Sequence, residues 1–173
     1  SRTVAVYRGA FQGSTLMWNQ PSFALPLVSE QGLVYEAPQI TCDPDRGYVY
    51  LGCTRMVRHS EDSYPHTIQF VRSVDWGQTW STPLTLSGPR CSGSQTLVGP
   101  EGEVYVVWQD YEAGRIAGRK SMDFGQTFDP QIVIAPTHLS LGSSPPGYCP
   151  SSGRVNPLYG ACTELLDAGF PAV

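Results

Sequence analysis

Residues 73–80 read Ser-Val-Asp-Trp-Gly-Gln-Thr-Trp, and residues 121–128 read Ser-Met-Asp-Phe-Gly-Gln-Thr-Phe. Five of the eight positions are identical, and the other three exchange one apolar side chain for another. Asp75 and Asp123 lie 48 residues apart. Self-similarity at such a period marks a repeat architecture. The likeness extends upstream, where Asp43-Pro44-Asp45-Arg46-Gly47-Tyr48-Val49-Tyr50-Leu51 answers Gly99-Pro100-Glu101-Gly102-Glu103-Val104-Tyr105-Val106, with one residue inserted in the first copy. Cys53 then falls opposite Trp108. Ile68 to Arg72 answers Ile116 to Lys120, and Pro83-Leu84-Thr85-Leu86 answers Gln131-Ile132-Val133-Ile134.

Each copy reads as four short strands. The first copy predicts strands over 38–42, 48–53, 67–72 and 80–86, the second over 94–98, 103–109, 115–120 and 128–134. In both, the second strand is a near-continuous apolar run, which predicts burial on both faces. One four-stranded sheet does not bury both of its own faces; sheets stacked about an axis do. The expected fold is therefore all-β, a single β-propeller-type domain over 1–173 with about three to four blade-equivalents. The clearest blades are 37–86 and 94–135, with partial repeats at 1–36 and 136–173. Residues 3–8 and 23–28 read as strands, but no third octamer accompanies them. Gly169 to Val173 resembles the start of a further repeat. So few blades point to an incomplete propeller, to part of a longer chain, or to closure by assembly into a homo-oligomer.

Composition agrees with short strands joined by turns. Of 173 residues, 18 are Gly and 15 are Pro, both costly inside helices. Charged residues are only 15% and the net charge is −4. The eleven Lys and Arg form no basic run, which argues against nucleic acid as a partner. No apolar stretch reaches the ~20 residues of a membrane helix, so membrane insertion is not expected. No phosphate loop, dinucleotide fingerprint, zinc-protease motif or serine elbow is present, and no cofactor is expected. His59 and His66 are seven apart with no third ligand in register, so no metal site is expected. Five cysteines, Cys42, Cys53, Cys91, Cys149 and Cys162, leave at least one unpaired within the chain. Cys149 and Cys162 share one Gly/Ser/Pro-rich stretch, and a disulfide between them stands as an alternative to free thiols.

The octamer pattern resembles the Asp box, or BNR repeat, of sialidase-like β-propellers, and the resemblance covers roughly residues 36–135. It implies a secreted or cell-surface protein. Read from its residues, the box is structural: Ser73, Asp75, Gly77, Thr79 and Trp80, and likewise Ser121, Asp123, Gly125, Thr127 and Phe128. Asp accepts backbone amides as in an Asx turn, Gly takes a left-handed position, Ser and Thr satisfy further turn groups, and the aromatic ring anchors the next strand.

The boxes join third to fourth strands, so the opposite end of the sheets carries the longer connections, 54–66, 87–93, 110–114 and 135–168. Function is expected there, on loops over a rigid scaffold. The candidate ligand-binding residues are Arg55, Arg58, His59, Asp62, Tyr64, Asp110, Tyr111 and Arg115. Aromatic faces beside carboxylates and guanidinium forks suit a glycan or a protein partner. The family's sialidases use an arginine triad and a tyrosine nucleophile. Here Glu36-Ala37-Pro38 stands where the first arginine would be, and no tyrosine–glutamate pair or complete triad is evident. Arg55 and Asp62 sit loosely where the family places an arginine and an acid, which makes Asp62 the one catalytic candidate. Glu36 to Ile40 also resembles the strand start of secreted Asp-box propellers without a sialidase site. Three functions are therefore weighed: a non-catalytic binding module, part of a sialidase-like glycoside hydrolase, and an assembly protein that pairs through open blade edges.

Overall fold

The computed structural model describes residues 3–27, 32–57 and 66–137. All of these but Thr137 belong to one unit, Ser1–Pro136. The fold is all-β: the described residues form twelve strands and no helix. The first sheet pairs β1 (Ala5–Val6) with β4 (Ser22–Phe23). Between them stands a hairpin of β2 (Gly9–Gln12) and β3 (Thr15–Trp18). The second sheet is an antiparallel meander of β5 (Leu33–Asp43), β6 (Tyr48–Val57), β7 (His66–Ser73) and β8 (Leu84–Thr85). The third repeats it with β9 (Cys91–Val98), β10 (Val104–Asp110), β11 (Arg115–Ser121) and β12 (Ile132–Pro136).

Two apolar layers hold the sheets together. One joins Val4, Ala24 and Leu25 of the first sheet region to Leu33, Tyr35, Leu51, Cys53 and Val71 of the second. The other joins Tyr50, Ile68, Phe70 and Leu86 to Cys91, Val104, Val106, Trp108 and Ala117 of the third. The second sheet is thus covered on both faces, and β6 is buried almost throughout. Each fully buried large side chain stabilises the fold by roughly 1.5–3 kcal/mol. The sheets come close because Gly52 has no side chain. A Cβ there would lie 2.7 Å from Thr96 Oγ1 and 3.1 Å from Ser94 Oγ.

The structure corrects three expectations. Strand β10 is fully buried on one face, by Val104, Val106 and Trp108; on the other face Gln109 is buried but Tyr105 and Val107 are only half-buried. No described sheet lies on that second face. The fourth strands begin later than expected, at Leu84 and Ile132, because Trp80 and Phe128 still belong to their turns. Of the strand expected over 23–28, the described residues show only Phe23, in β4 (Ser22–Phe23); Val28 lies outside the described residues.

The two complete sheets share a bulge. Between the pairs Glu36↔Thr54 and Gln39↔Gly52, the residues Ala37 and Pro38 oppose Cys53 alone. Between Ser92↔Gln109 and Gln95↔Val107, Gly93 and Ser94 oppose Trp108 alone. Ala37 takes φ 46 and Gly93 takes φ 68, so the left-handed kink recurs at the same point. Such bulges re-aim the end of a strand.

Candidate functional site

The two ends of the sheets differ in chemistry. At one end are the octamers. Ser73 Oγ donates to Asp75 Oδ1 at 2.7 Å and accepts from the Gly77 amide at 2.8 Å. Asp75 Oδ1 accepts from the Gln78 and Thr79 amides at 2.9 Å each, and Oδ2 from the Thr79 hydroxyl at 2.6 Å. The second octamer repeats every bond: Ser121 Oγ to Asp123 at 2.7 Å, Gly125 N to Ser121 Oγ at 2.8 Å, Gln126 N at 2.9 Å, Thr127 N at 2.8 Å and Thr127 Oγ1 at 2.6 Å. Burial pulls these carboxyls upward, but the hydrogen bonds from Thr79 and Ser73, or Thr127 and Ser121, outweigh it and hold each at about 2. Both carboxylates are therefore fully engaged by their own turns and ionised at any ordinary pH.

The last ring of each octamer reaches the preceding sheet, and so does Phe124 of the second. Trp80 packs against the layer containing Val4 and Val6, and its Nε1 donates to Ser22 Oγ at 3.0 Å. Ser22 Oγ in turn donates to the Gly77 carbonyl. In the second octamer Phe128 meets Phe70 edge-on at 4.9 Å, and Phe124 meets Tyr48 edge-on at 5.7 Å. The Arg46 guanidinium lies 5.1 Å from the Phe124 ring centre, and Arg72 donates to the Phe124 carbonyl at 3.2 Å. Each octamer is both a turn and a clamp.

The opposite end carries the candidates for binding. The structure brings Asp110, Tyr111 and Arg115 together around the β10–β11 turn. Arg115 Nε donates to Asp110 Oδ2 at 2.9 Å, and Asp110 Oδ1 accepts from the Ala113 amide at 3.1 Å. Ser92 Oγ donates to the Tyr111 hydroxyl at 3.1 Å, and the Tyr111 amide donates to the Arg90 carbonyl at 3.0 Å. Arg90 is itself left-handed, with φ 60. Arg55 lies on β6 rather than in a loop, which corrects its expected place. It stands opposite Tyr35 on β5 and Thr67 on β7. Arg55 and Asp110 hold matching register positions in neighbouring sheets. The Gly93 amide donates to Thr54 Oγ1 at 3.3 Å and ties the two sheets at this end. Burial and the nearby charge of Arg90 both push the pKa of His66 down, so its imidazole is neutral at neutral pH.

Arg58, His59, Asp62 and Tyr64 lie outside the described residues, as do Cys149 and Cys162. Among the described residues Cys42, Cys53 and Cys91 are free thiols, and burial pushes Cys53 up to about 12. No group of three or more His, Cys, Asp or Glu among the described residues is arranged to hold a metal ion. No described helix is long and apolar enough to cross a membrane. Sequence reasoning missed Tyr35, Arg90 and Ser92 at this end. The paired bulges at Ala37 and Gly93 could have drawn attention to Tyr35 and Ser92; Arg90 carries no local signal. It also missed the clamp partners Arg46 and Tyr48. In comparison with known proteins, no family model and no curated protein matches the chain.

Proposed function

We propose that the three stacked sheets are part of an Asp-box β-propeller, and that the end opposite the octamers binds a glycan without hydrolysing it. The observation that carries this reading is the division of labour between the two ends. The octamer carboxylates are consumed by their own turns. The other end gathers a tyrosine, an arginine–aspartate pair, a second arginine on the neighbouring sheet and two left-handed kinks that aim strand ends. Aromatic edges beside forked polar groups suit hydroxyl-rich ligands. Glu36 stands on β5 where a sialidase of the resembling family would carry an arginine, which favours binding over catalysis. An extracellular setting goes with the same resemblance.

The test is binding of the full chain to a panel of neutral and sialylated oligosaccharides, with Tyr111→Ala and Arg55→Ala beside the wild type. Saturable binding that weakens at least tenfold in either variant supports the reading. No binding anywhere on the panel overturns it. Turnover of a fluorogenic sialoside that falls sharply in Asp62→Asn would make the protein a hydrolase instead.

A further inference from the structure

We propose that Arg90 is the residue with which the end opposite the octamers grips its ligand, and that Tyr111 and Ser92 position it. The inference rests on the glycan-binding reading and gives Arg90 a pair of acceptor oxygens on the glycan. It starts from the entries to the first strands of the two complete sheets. Gly32 immediately precedes β5, and Arg90 immediately precedes β9. Both are left-handed, with φ 84 and φ 60. The same backbone demand is met in one sheet by a glycine, which takes it without strain. In the other it is met by an arginine, whose Cβ makes it costly. Outliers of this kind cluster at binding sites, where the surroundings hold them.

The surroundings here belong to the third sheet. The Tyr111 amide donates to the Arg90 carbonyl at 3.0 Å. Ser92 Oγ, two residues past Arg90, donates to the Tyr111 hydroxyl at 3.1 Å. Backbone and side chain of Tyr111 thus both fasten the β8–β9 connection to the β10–β11 turn. One residue further on, the Gly93 amide donates to Thr54 Oγ1 of the second sheet. None of these bonds uses the Arg90 side chain.

That side chain is exposed. Among the described residues no hydrogen bond or ion pair engages its guanidinium. The acid of the adjoining turn does not neutralise it, because Asp110 is taken by Arg115 at 2.9 Å and by the Ala113 amide. The charge is felt across the junction of the two sheets, where it helps to keep His66 of β7 neutral. A guanidinium carries five donors in a fixed fork, which suits two oxygens taken together. An ammonium is a point charge and does not reproduce that match.

The experiment titrates lactose, a sulfated lactose and sialyllactose into the full chain, with Arg90→Gly, Arg90→Lys and Tyr111→Phe beside the wild type. These probes offer neutral hydroxyl pairs, a sulfate ester and a carboxylate, so the one that responds names the source of the oxygens. Arg90→Gly should weaken its binding about tenfold or more, while Tm stays level or rises because glycine is at ease at φ 60. Arg90→Lys keeps the charge and the backbone strain but loses the fork, and it should lose most of the same affinity. Tyr111→Phe cuts the brace to Ser92 and should weaken binding about threefold, with no further loss when Arg90 is already glycine. A probe bound alike by the wild type and Arg90→Gly overturns the assignment and leaves the glycan-binding reading standing. So does full affinity in Arg90→Lys, or a Tm in Arg90→Gly that falls in step with binding. Binding of none of the three probes overturns both.

Discussion

The turn of the first sheet and the turns of the other two close the same pair of strands by different means. In the second and third sheets eight residues intervene between Arg72 and Ser81 and between Lys120 and Asp129. A carboxylate there collects the amides that the tight turn leaves unpaired. In the first sheet ten residues intervene between Arg8 and Asn19. The chain there pairs with itself, Gly9 opposite Trp18 and Phe11 opposite Leu16. The hairpin needs no carboxylate because its ladder satisfies its own backbone. The outcomes for neighbouring surfaces also differ. Each octamer presses its last ring, Trp80 or Phe128, onto the sheet before it, whereas Phe11 is 73% exposed and Trp18 is 63% exposed; Trp76 of the first octamer, which lies over Gly47 of its own sheet, is also 55% exposed. The octamer is thus better understood as a joint between sheets than as a turn alone. Where no described sheet precedes, a freestanding hairpin takes its place.

The two octamers also differ from each other in how tightly they are seated, and this gives the largest expected effect. Gly77 and Gly125 have φ 75 and 77, and in this region a side chain costs about 1–2 kcal/mol. At Gly77 an added Cβ would meet nothing closer than 3.5 Å. At Gly125 it would lie 2.9 Å from the Phe70 ring and 3.4 Å from Tyr50. Overpacking against buried rings adds about 1–3 kcal/mol. Denaturant unfolding should therefore show Gly125→Ala losing about 3–4 kcal/mol and Gly77→Ala about half as much. Equal losses would mean that the second octamer is not the tighter joint.

Next in size is loss of a carboxylate. Asp75→Ala and Asp123→Ala each remove an acceptor of charge-assisted hydrogen bonds and should cost about 2–3 kcal/mol, nearly equal because the two bond sets match. The pH dependence has a definite sign. Each carboxyl is held at about 2, below its ordinary value of 3.8. Its contribution is complete above the ordinary value and is lost as pH falls through about 2. The wild-type Tm should drop between pH 4 and pH 2, and Asp75→Asn should drop less over that window. A parallel fall in the variant would show that other acids dominate.

Much of this was legible because it is local. The octamer's hydrogen bonds span at most four residues, so residue types alone dictate them. The runs at Tyr48 and Val104 carry the burial signal for β6 and, on one face, for β10. What was not legible depends on pairing between distant segments. Arg55 reads as a loop residue because nothing local says that β6 continues past the bulge at Ala37. Arg46 and Tyr48 gain their role only when Phe124 of the next sheet arrives. The hairpin 9–18 escaped notice because Ala10, Phe11, Leu16, Met17 and Trp18 put apolar side chains on both of its faces, which hides the alternation of a strand.

That same property leads to the smallest effect. The hairpin's Trp18 ring lies across Gly9, where an added Cβ would sit 3.2 Å from the indole carbons. Trp18 is 63% exposed. Trp18→Ala therefore removes little buried surface and should change stability by less than about 0.5 kcal/mol. Trp80→Ala is the paired control in the octamer. It deletes a half-buried ring, its 3.0 Å bond to Ser22 and its packing against Val4 and Val6, at a cost of about 3 kcal/mol. If unfolding experiments give the two tryptophans similar values, the hairpin is a packed joint after all. It must then rest on a surface beyond the described residues, and the contrast between the first turn and the other two disappears.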